Sequence, residues 1–132
     1  MFDYFMIGLG GAIGTIGRHW LGGIVARRYG DAFPVGTLVI NVSGSFLITF
    51  FATMTASDGR WMVSPRGRAF FMTGVCGGYT TFSSFSLQTL NLALEGEWLH
   101  AGANAVLSVT LCLVAAWLGL VAAMALRRMK GG

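Results

Sequence analysis

Charge is scarce in this chain, and acid scarcer still. Only 11% of the 132 residues are charged and five are acidic, whereas a soluble domain usually carries about 25% charged residues. All five acids, Asp3, Asp31, Asp58, Glu95 and Glu97, stand at the ends of apolar runs or between them. A small four-helix, proton-coupled, multidrug-type exporter generally needs an acid inside a span to exchange protons for a cationic substrate, so that alternative has no residue to work with. Cysteine is almost absent too. Cys76 and Cys112 lie inside apolar segments without the spacing of a disulfide framework or a metal knuckle, and read as small buried hydrophobes. There is no nucleophile–base pair, metal-ligand cluster or phosphate-cradling loop, and His19 and His100 lie near span ends with no obvious partner. The glycine-rich first segment has no strand before it, which removes a nucleotide-binding fingerprint. An enzyme is not expected.

What the chain has instead is apolar length: 55% hydrophobic residues, 20 glycines and a mean hydropathy of +0.68. At roughly 20 residues per crossing, this describes an all-α integral membrane protein, a single transmembrane domain over residues 1–132. Its four spans are expected at about 4–26, 35–55, 69–94 and 99–126. The net charge of +4 sits on cations at span ends and in connections, which suits lipid headgroups and topology better than nucleic acid. Asp3 in place of a basic start, and Arg18 within the first apolar run, argue for a retained span over a cleaved secretory signal.

Small and polar residues inside the spans are placed in register. Gly10, Gly14, Arg18 and Gly22 are each four apart and share one helix face, where small residues let another backbone approach closely. A guanidinium on that face must reach water, an acid or backbone carbonyls. Arg18 is therefore read either as a structural anchor or as a vestibule residue that attracts anions. Asn41 lies on one side of the second span with Thr37, Gly44 and Ile48, and an asparagine at membrane depth needs hydrogen-bond partners. In the fourth span Asn104, Ser108 and Cys112 follow one another at four-residue intervals.

The third span is the unusual one. From Gly74 to Ser86 it reads Gly-Val-Cys-Gly-Gly-Tyr-Thr-Thr-Phe-Ser-Ser-Phe-Ser. A glycine pair followed by a block of hydroxyl residues makes a poor helix interior, because glycine is entropically costly and Ser/Thr side chains compete for backbone bonds. In hydrocarbon each freed N–H or C=O must find protein, water or an ion, so a helix broken here predicts a polar pathway or an ion site. Phe82 and Phe85 are three apart and share a face, embedded among Thr80, Thr81, Ser83, Ser84 and Ser86; Thr81, Ser84 and Gln88 form a neighbouring stripe. Hydroxyls, amides and aromatic ring edges all offer positive hydrogen to an anion, and no buried carboxylate opposes one. The inventory suits a passive pore for a small anion, with Asn41, Ser84 and Ser108 on one donor track if their helices face each other.

These residues also carry a resemblance. The Gly-Ala-x-Gly-x-x-x-Arg pattern from Gly11 to Arg18, the run Gly36-Thr37-Leu38-Val39-Ile40-Asn41, and above all Gly77-Gly78-Tyr79-Thr80-Thr81-Phe82-Ser83-Ser84-Phe85-Ser86 resemble the bacterial fluoride channels of the Fluc or CrcB family along the whole chain. The resemblance implies a fluoride-selective passive channel of the bacterial cell (inner) membrane that lets cytoplasmic fluoride leak out. It implies an antiparallel, dual-topology homodimer whose third helices cross at their breaks, with two pores beside that centre. A structural sodium ion would be held there by the backbone carbonyls of Gly77 and Thr80 from both copies. Phe82 and Phe85 would present ring edges to fluoride, Asn41 would donate a hydrogen bond, and Thr81, Ser83, Ser84 and Ser108 would replace part of the ion's water shell. The chain departs from the family at Asn104, Cys112 and Gln88, where tyrosine, serine and glutamate are frequent.

The distribution of cations bears on topology. Arg60, Arg66, Arg68, Arg127, Arg128 and Lys130 fall on one side of four spans, against Arg27 and Arg28 on the other. By the positive-inside rule this bias favours cytoplasmic termini, so a fixed-orientation half of a heterodimeric channel stands beside the dual-topology homodimer as an alternative.

Overall fold

Long apolar segments bounded by glycine and proline fold as helices whose ends those residues set. In this computed structural model, which describes residues 1–129 and 131, there is no strand among the described residues. Helix α1 runs Phe2–Tyr29 and closes at Gly30, whose φ of 77° suits glycine and whose N–H bonds the Ala26 carbonyl at 2.8 Å. Helix α2, Val35–Met54, starts directly after Pro34. Helix α3, Pro65–Ala69, opens with proline in its first turn and the Ser64 hydroxyl accepting from the Gly67 N–H at 3.1 Å. It passes without a stop into a π-helical segment, Phe70–Cys76, and a single turn, α4, Gly77–Tyr79. Thr80 and Thr81 are extended; α5, Phe82–Leu94, then restarts the rod, and α6, Trp98–Met129, completes the chain.

The result is four helical rods, of which the third is made of pieces. Against spans expected at about 4–26, 35–55, 69–94 and 99–126, the helices run further at both ends of the first and the last and at the start of the third, where Ser64 and Pro65 nucleate the helix earlier. By length and composition α2 and α6 are long and apolar enough to cross a membrane. Helix α1 carries Arg18 and His19 along its length, and the third rod is interrupted. The apolar helices and the relation reported below make this a membrane protein.

The interruption is narrower than the sequence implies, and the glycine pair lies outside it. Gly77 and Gly78 are helical, and only Thr80 and Thr81 leave the helix. Gly78 serves close approach instead. A Cβ on Gly78 would stand 2.5 Å from the Gly11 carbonyl oxygen, and one on Gly14 would stand 2.1 Å from that of Val75. Helix α1 and the third rod therefore meet backbone to backbone along the glycine face, the packing seam expected of small residues at four-residue spacing.

At one end of the bundle the arginines do more than mark a surface. Arg60 donates to the Leu126 carbonyl at 3.0 Å, Arg68 to the Thr55 hydroxyl and, at 3.4 Å, to the Ala52 carbonyl, and Arg127 meets the Asp58 carboxylate at 2.8 Å. Arg60 and Arg68 satisfy the C-terminal ends of α6 and α2, where carbonyls lack helical donors and the dipole favours cations. Arg66 pairs with Asp3 and lies 4.6 Å from the centre of the Phe2 ring. Of the cations in the topology count, Lys130 lies outside the described residues.

Candidate ion pathway at the helix break

Extending two residues in the middle of a helix frees carbonyls before the break and N–H groups after it. Two other helices satisfy several of them. From α2, Asn41 makes a two-way bond with one residue: its Nδ2 donates to the Thr81 carbonyl at 2.9 Å, and its Oδ1 accepts from the Thr81 N–H at 2.8 Å. From α1, Arg18 Nε donates to the Gly78 carbonyl at 3.1 Å, joined by the Thr15 hydroxyl at 3.4 Å. The Thr81 hydroxyl caps α5 by accepting from the Ser84 N–H at 3.1 Å. Of the two readings open for Arg18, this contact supplies the anchor directly, while the residue also lines the vestibule described next.

Beside Gly78, the break strips helical donors from the carbonyls of Gly77, Tyr79 and Thr80. In an unbroken helix Gly77 would bond the Thr81 N–H and Thr80 the Ser84 N–H. Those donors are turned to Asn41 Oδ1 and to the Thr81 hydroxyl. The carbonyls of Gly77 and Thr80 thus lose their helical partners at the break, the donor chemistry a hard cation prefers.

Two cavities flank the break. A vestibule of about 680 Å³ lies between α1, α2 and α5 and reaches the connection after α1; Arg18, His19, Thr37, Ser84, Gln88 and Asn91 line it, with Asp31 and Glu95 among its walls. A more apolar cavity of about 350 Å³ lies between α2, the third rod and α6, lined by Asn41, Thr80, Phe82, Phe85, Ser108 and Cys112 among others. Thr81 lines both. The residues expected on one donor track are therefore divided: Ser84 faces the vestibule, Asn41 and Ser108 the inner cavity, and Thr81 stands between. Ser83 is exposed and lines neither cavity.

Phe82 and Phe85 share the inner cavity, with ring centroids 5.3 Å apart and planes at 51°. Tilted rings expose edges, the positive part of the aromatic quadrupole. Phe82 is 75% exposed in the single chain, so this wall of the cavity lies open on the protein surface.

Hydroxyl protons are mostly committed. Thr81 Oγ donates to Ser84 Oγ at 3.0 Å, Ser86 to the Phe82 carbonyl at 3.0 Å, and Ser108 to Asn104 Oδ1 at 3.3 Å. Ser84 receives a bond from Thr81, which leaves its own proton for the vestibule. One of the two Asn41 Nδ2 hydrogens remains for the inner cavity. The sequence did not flag Thr15 or Thr89. Thr15 stands three residues before Arg18, a helical spacing that would have found it. Thr89 accepts from Asn104 Nδ2 at 2.8 Å and donates to the Phe85 carbonyl at 2.8 Å, so a polar chain runs from Ser108 through Asn104 to the phenylalanine helix. Asn104 is 2% exposed and joins α6 to α5. Gln88 Oε1 is buried without a donor among the described residues.

Comparison with known proteins identifies the family. The profile of the family described as CrcB-like protein, Camphor Resistance (CrcB) matches residues 5–120. A protein of Opitutus terrae is 61% identical over 128 residues, 97% of both chains; one of Methylocella silvestris is 55% identical over 129 residues, 98% of both. One of Rhodospirillum rubrum is 58% identical over 120 residues, 91% of this chain and 93% of its own. Each of the three is named a fluoride-specific ion channel FluC. With a family profile spanning the helix break and relatives aligned nearly end to end, the chain belongs to the CrcB family.

Proposed function

We propose that this chain is a fluoride-selective passive channel that releases cytoplasmic fluoride across the bacterial inner membrane. Near-full-length identity to channels named for fluoride carries the reading. The geometry supports it: every acid lies outside the inner cavity, and Asp3, Asp58 and Glu97 are paired with Arg66, Arg127 and His100 at helix ends. A passive leak needs no proton-exchanging carboxylate.

Fluoride is small and strongly hydrated, so a route must replace its water with hydrogen donors. Arg18 and the Ser84 hydroxyl would draw the ion into the vestibule. Beyond Thr81, the remaining Asn41 N–H and the edges of Phe82 and Phe85 would receive it in the inner cavity. Ser108 and Thr81 would join by turning their hydroxyls from present partners, and Ser108's 3.3 Å bond is the weaker of the two. Ser83, outside both cavities, would act from the mouth.

The functional unit in this reading is an antiparallel homodimer with two pores, since the exposed Phe82 face gives a second copy a wall to complete. The carbonyls of Gly77 and Thr80, with their helical donors diverted, would hold a sodium ion at the dimer centre. Such an ion satisfies polar groups that hydrocarbon cannot.

The deciding experiment is fluoride efflux from proteoliposomes, followed with a fluoride electrode. Release above protein-free vesicles is expected; folded protein that releases nothing refutes the channel. C-terminal reporter fusions test the assembly. Signal from both sides of the membrane is expected, and signal from one side alone refutes the dual-topology homodimer.

A further inference from the structure

Both thiols of the chain line the same cavity. Cys76 from the π segment and Cys112 from α6 face the inner cavity with Asn41, Phe82, Phe85 and Ser108. Neither is in a disulfide; Cys76 is 3% exposed, and Cys112 is half-buried and open to what enters. Ile48, Val109 and Leu113 make part of the walls apolar, a surface that admits neutral species as well, while thiolate sulfur is the softest ligand a protein offers. Two sulfurs beside aromatic faces are not needed by fluoride, a hard ion. They are suited to a neutral, soft electrophile.

We propose that Cys112 is a covalent attachment site for neutral thiophiles of the alkylmercury class, and that its modification closes the anion route beside the helix break. With methylmercury chloride, the S–Hg bond forms as the Hg–Cl bond breaks; chloride leaves and the thiol proton passes to water, with no change of oxidation state. Cys112 stands one turn beyond Ser108 on the same face of α6, so the added metal and methyl group fill space between α6 and the Asn41–Phe85 wall. Cys76 is the slower partner because burial withholds it from the reagent.

The block rests on the channel reading; the attachment does not, so two readouts separate them. Reconstituted protein is treated with methylmercury chloride, the adduct is mapped by mass spectrometry, and fluoride efflux is measured from the same vesicles. Cys112 is expected to carry the adduct first, with efflux falling to the protein-free rate and returning after excess dithiothreitol. Within each variant, Cys112→Ser is expected to keep its own untreated rate after treatment, whereas Cys76→Ser remains sensitive. Absence of an adduct at Cys112 overturns the site, and this mapping on the native chain needs no variant to fold. An adduct at Cys112 with undiminished efflux overturns the block and removes this cavity from the fluoride route. Loss of sensitivity in Cys76→Ser alone overturns the assignment to Cys112.

Discussion

Replacing Asn41 tests whether this side chain chiefly holds the helix break or chiefly serves the ion. Asn41→Ala removes both bonds to Thr81, at 2.9 and 2.8 Å, leaving one carbonyl and one N–H without partners. A buried unsatisfied polar group costs about 1–3 kcal/mol, which gives about 2–6 kcal/mol for the pair. Thr81 is half-buried and lines the vestibule, so water reaches it and the lower part of that range, about 2–3 kcal/mol, is expected. Against a typical folding stability of about 5–15 kcal/mol, the loss is large enough to lower the thermal midpoint of detergent-solubilised protein by several degrees. Asn41→Asp should be worse, because one oxygen still accepts from the Thr81 N–H while the other faces the Thr81 carbonyl and carries charge at membrane depth. The assay is thermal unfolding of purified protein, run beside fluoride efflux. Unfolding at the wild-type midpoint in Asn41→Ala would refute the bridging role, and wild-type efflux in the same variant would refute its role toward the ion.

Three further outcomes follow from other contacts. Gly14→Ala places a Cβ 2.1 Å from the Val75 carbonyl oxygen and should destabilise by about 1–3 kcal/mol or more, whereas Gly8→Ala meets nothing within 4 Å and should be neutral or slightly stabilising; equal unfolding midpoints would contradict the backbone-to-backbone seam. Phe82→Ile or Phe85→Ile keeps apolar bulk but removes ring edges, so efflux should fall while the oligomer on size-exclusion chromatography is retained; unchanged efflux in both removes the aromatic mechanism. A hydrogen bond from the Arg127 guanidinium, then its charge, holds the Asp58 carboxyl below its usual range. The contribution of this exposed pair is therefore present above the ordinary carboxylate pKa and lost as pH falls through the lowered value. Asp58→Asn should flatten a small, salt-sensitive acid limb of stability, and an unaltered acid limb would show that the pair contributes nothing.

Local rules carried the helices a long way. Apolar run length gives the rods, Gly30, Ser64 and Pro65 set their ends, and a hydroxyl block in hydrocarbon marks the third rod as interrupted. The dense motif from Gly77 to Ser86 suffices to indicate the family. Each of these signals is read within one turn or one span, where chain chemistry outweighs context.

Which atoms face each other depends on how the rods cross. Gly77 and Gly78 look like helix breakers in one dimension and prove to be helical; at Gly78 α1 lies so close that a side chain would meet the Gly11 backbone. Asn41 looks like a free donor and is largely bound, because its partner, Thr81, is brought to it by a different helix. Hydroxyls that count equally as letters differ once Thr81, Ser86 and Ser108 have given their protons to neighbours and Ser84 has not. The chain's chemistry set the inventory of groups able to meet an anion. The hydroxyl bonds of Thr81, Ser86 and Ser108 are made within one turn of their own segments, whereas packing decided the commitments of Arg18, Asn41 and Asn104, since only the crossing of α1, α2 and α6 brings them to Gly78, Thr81 and Thr89.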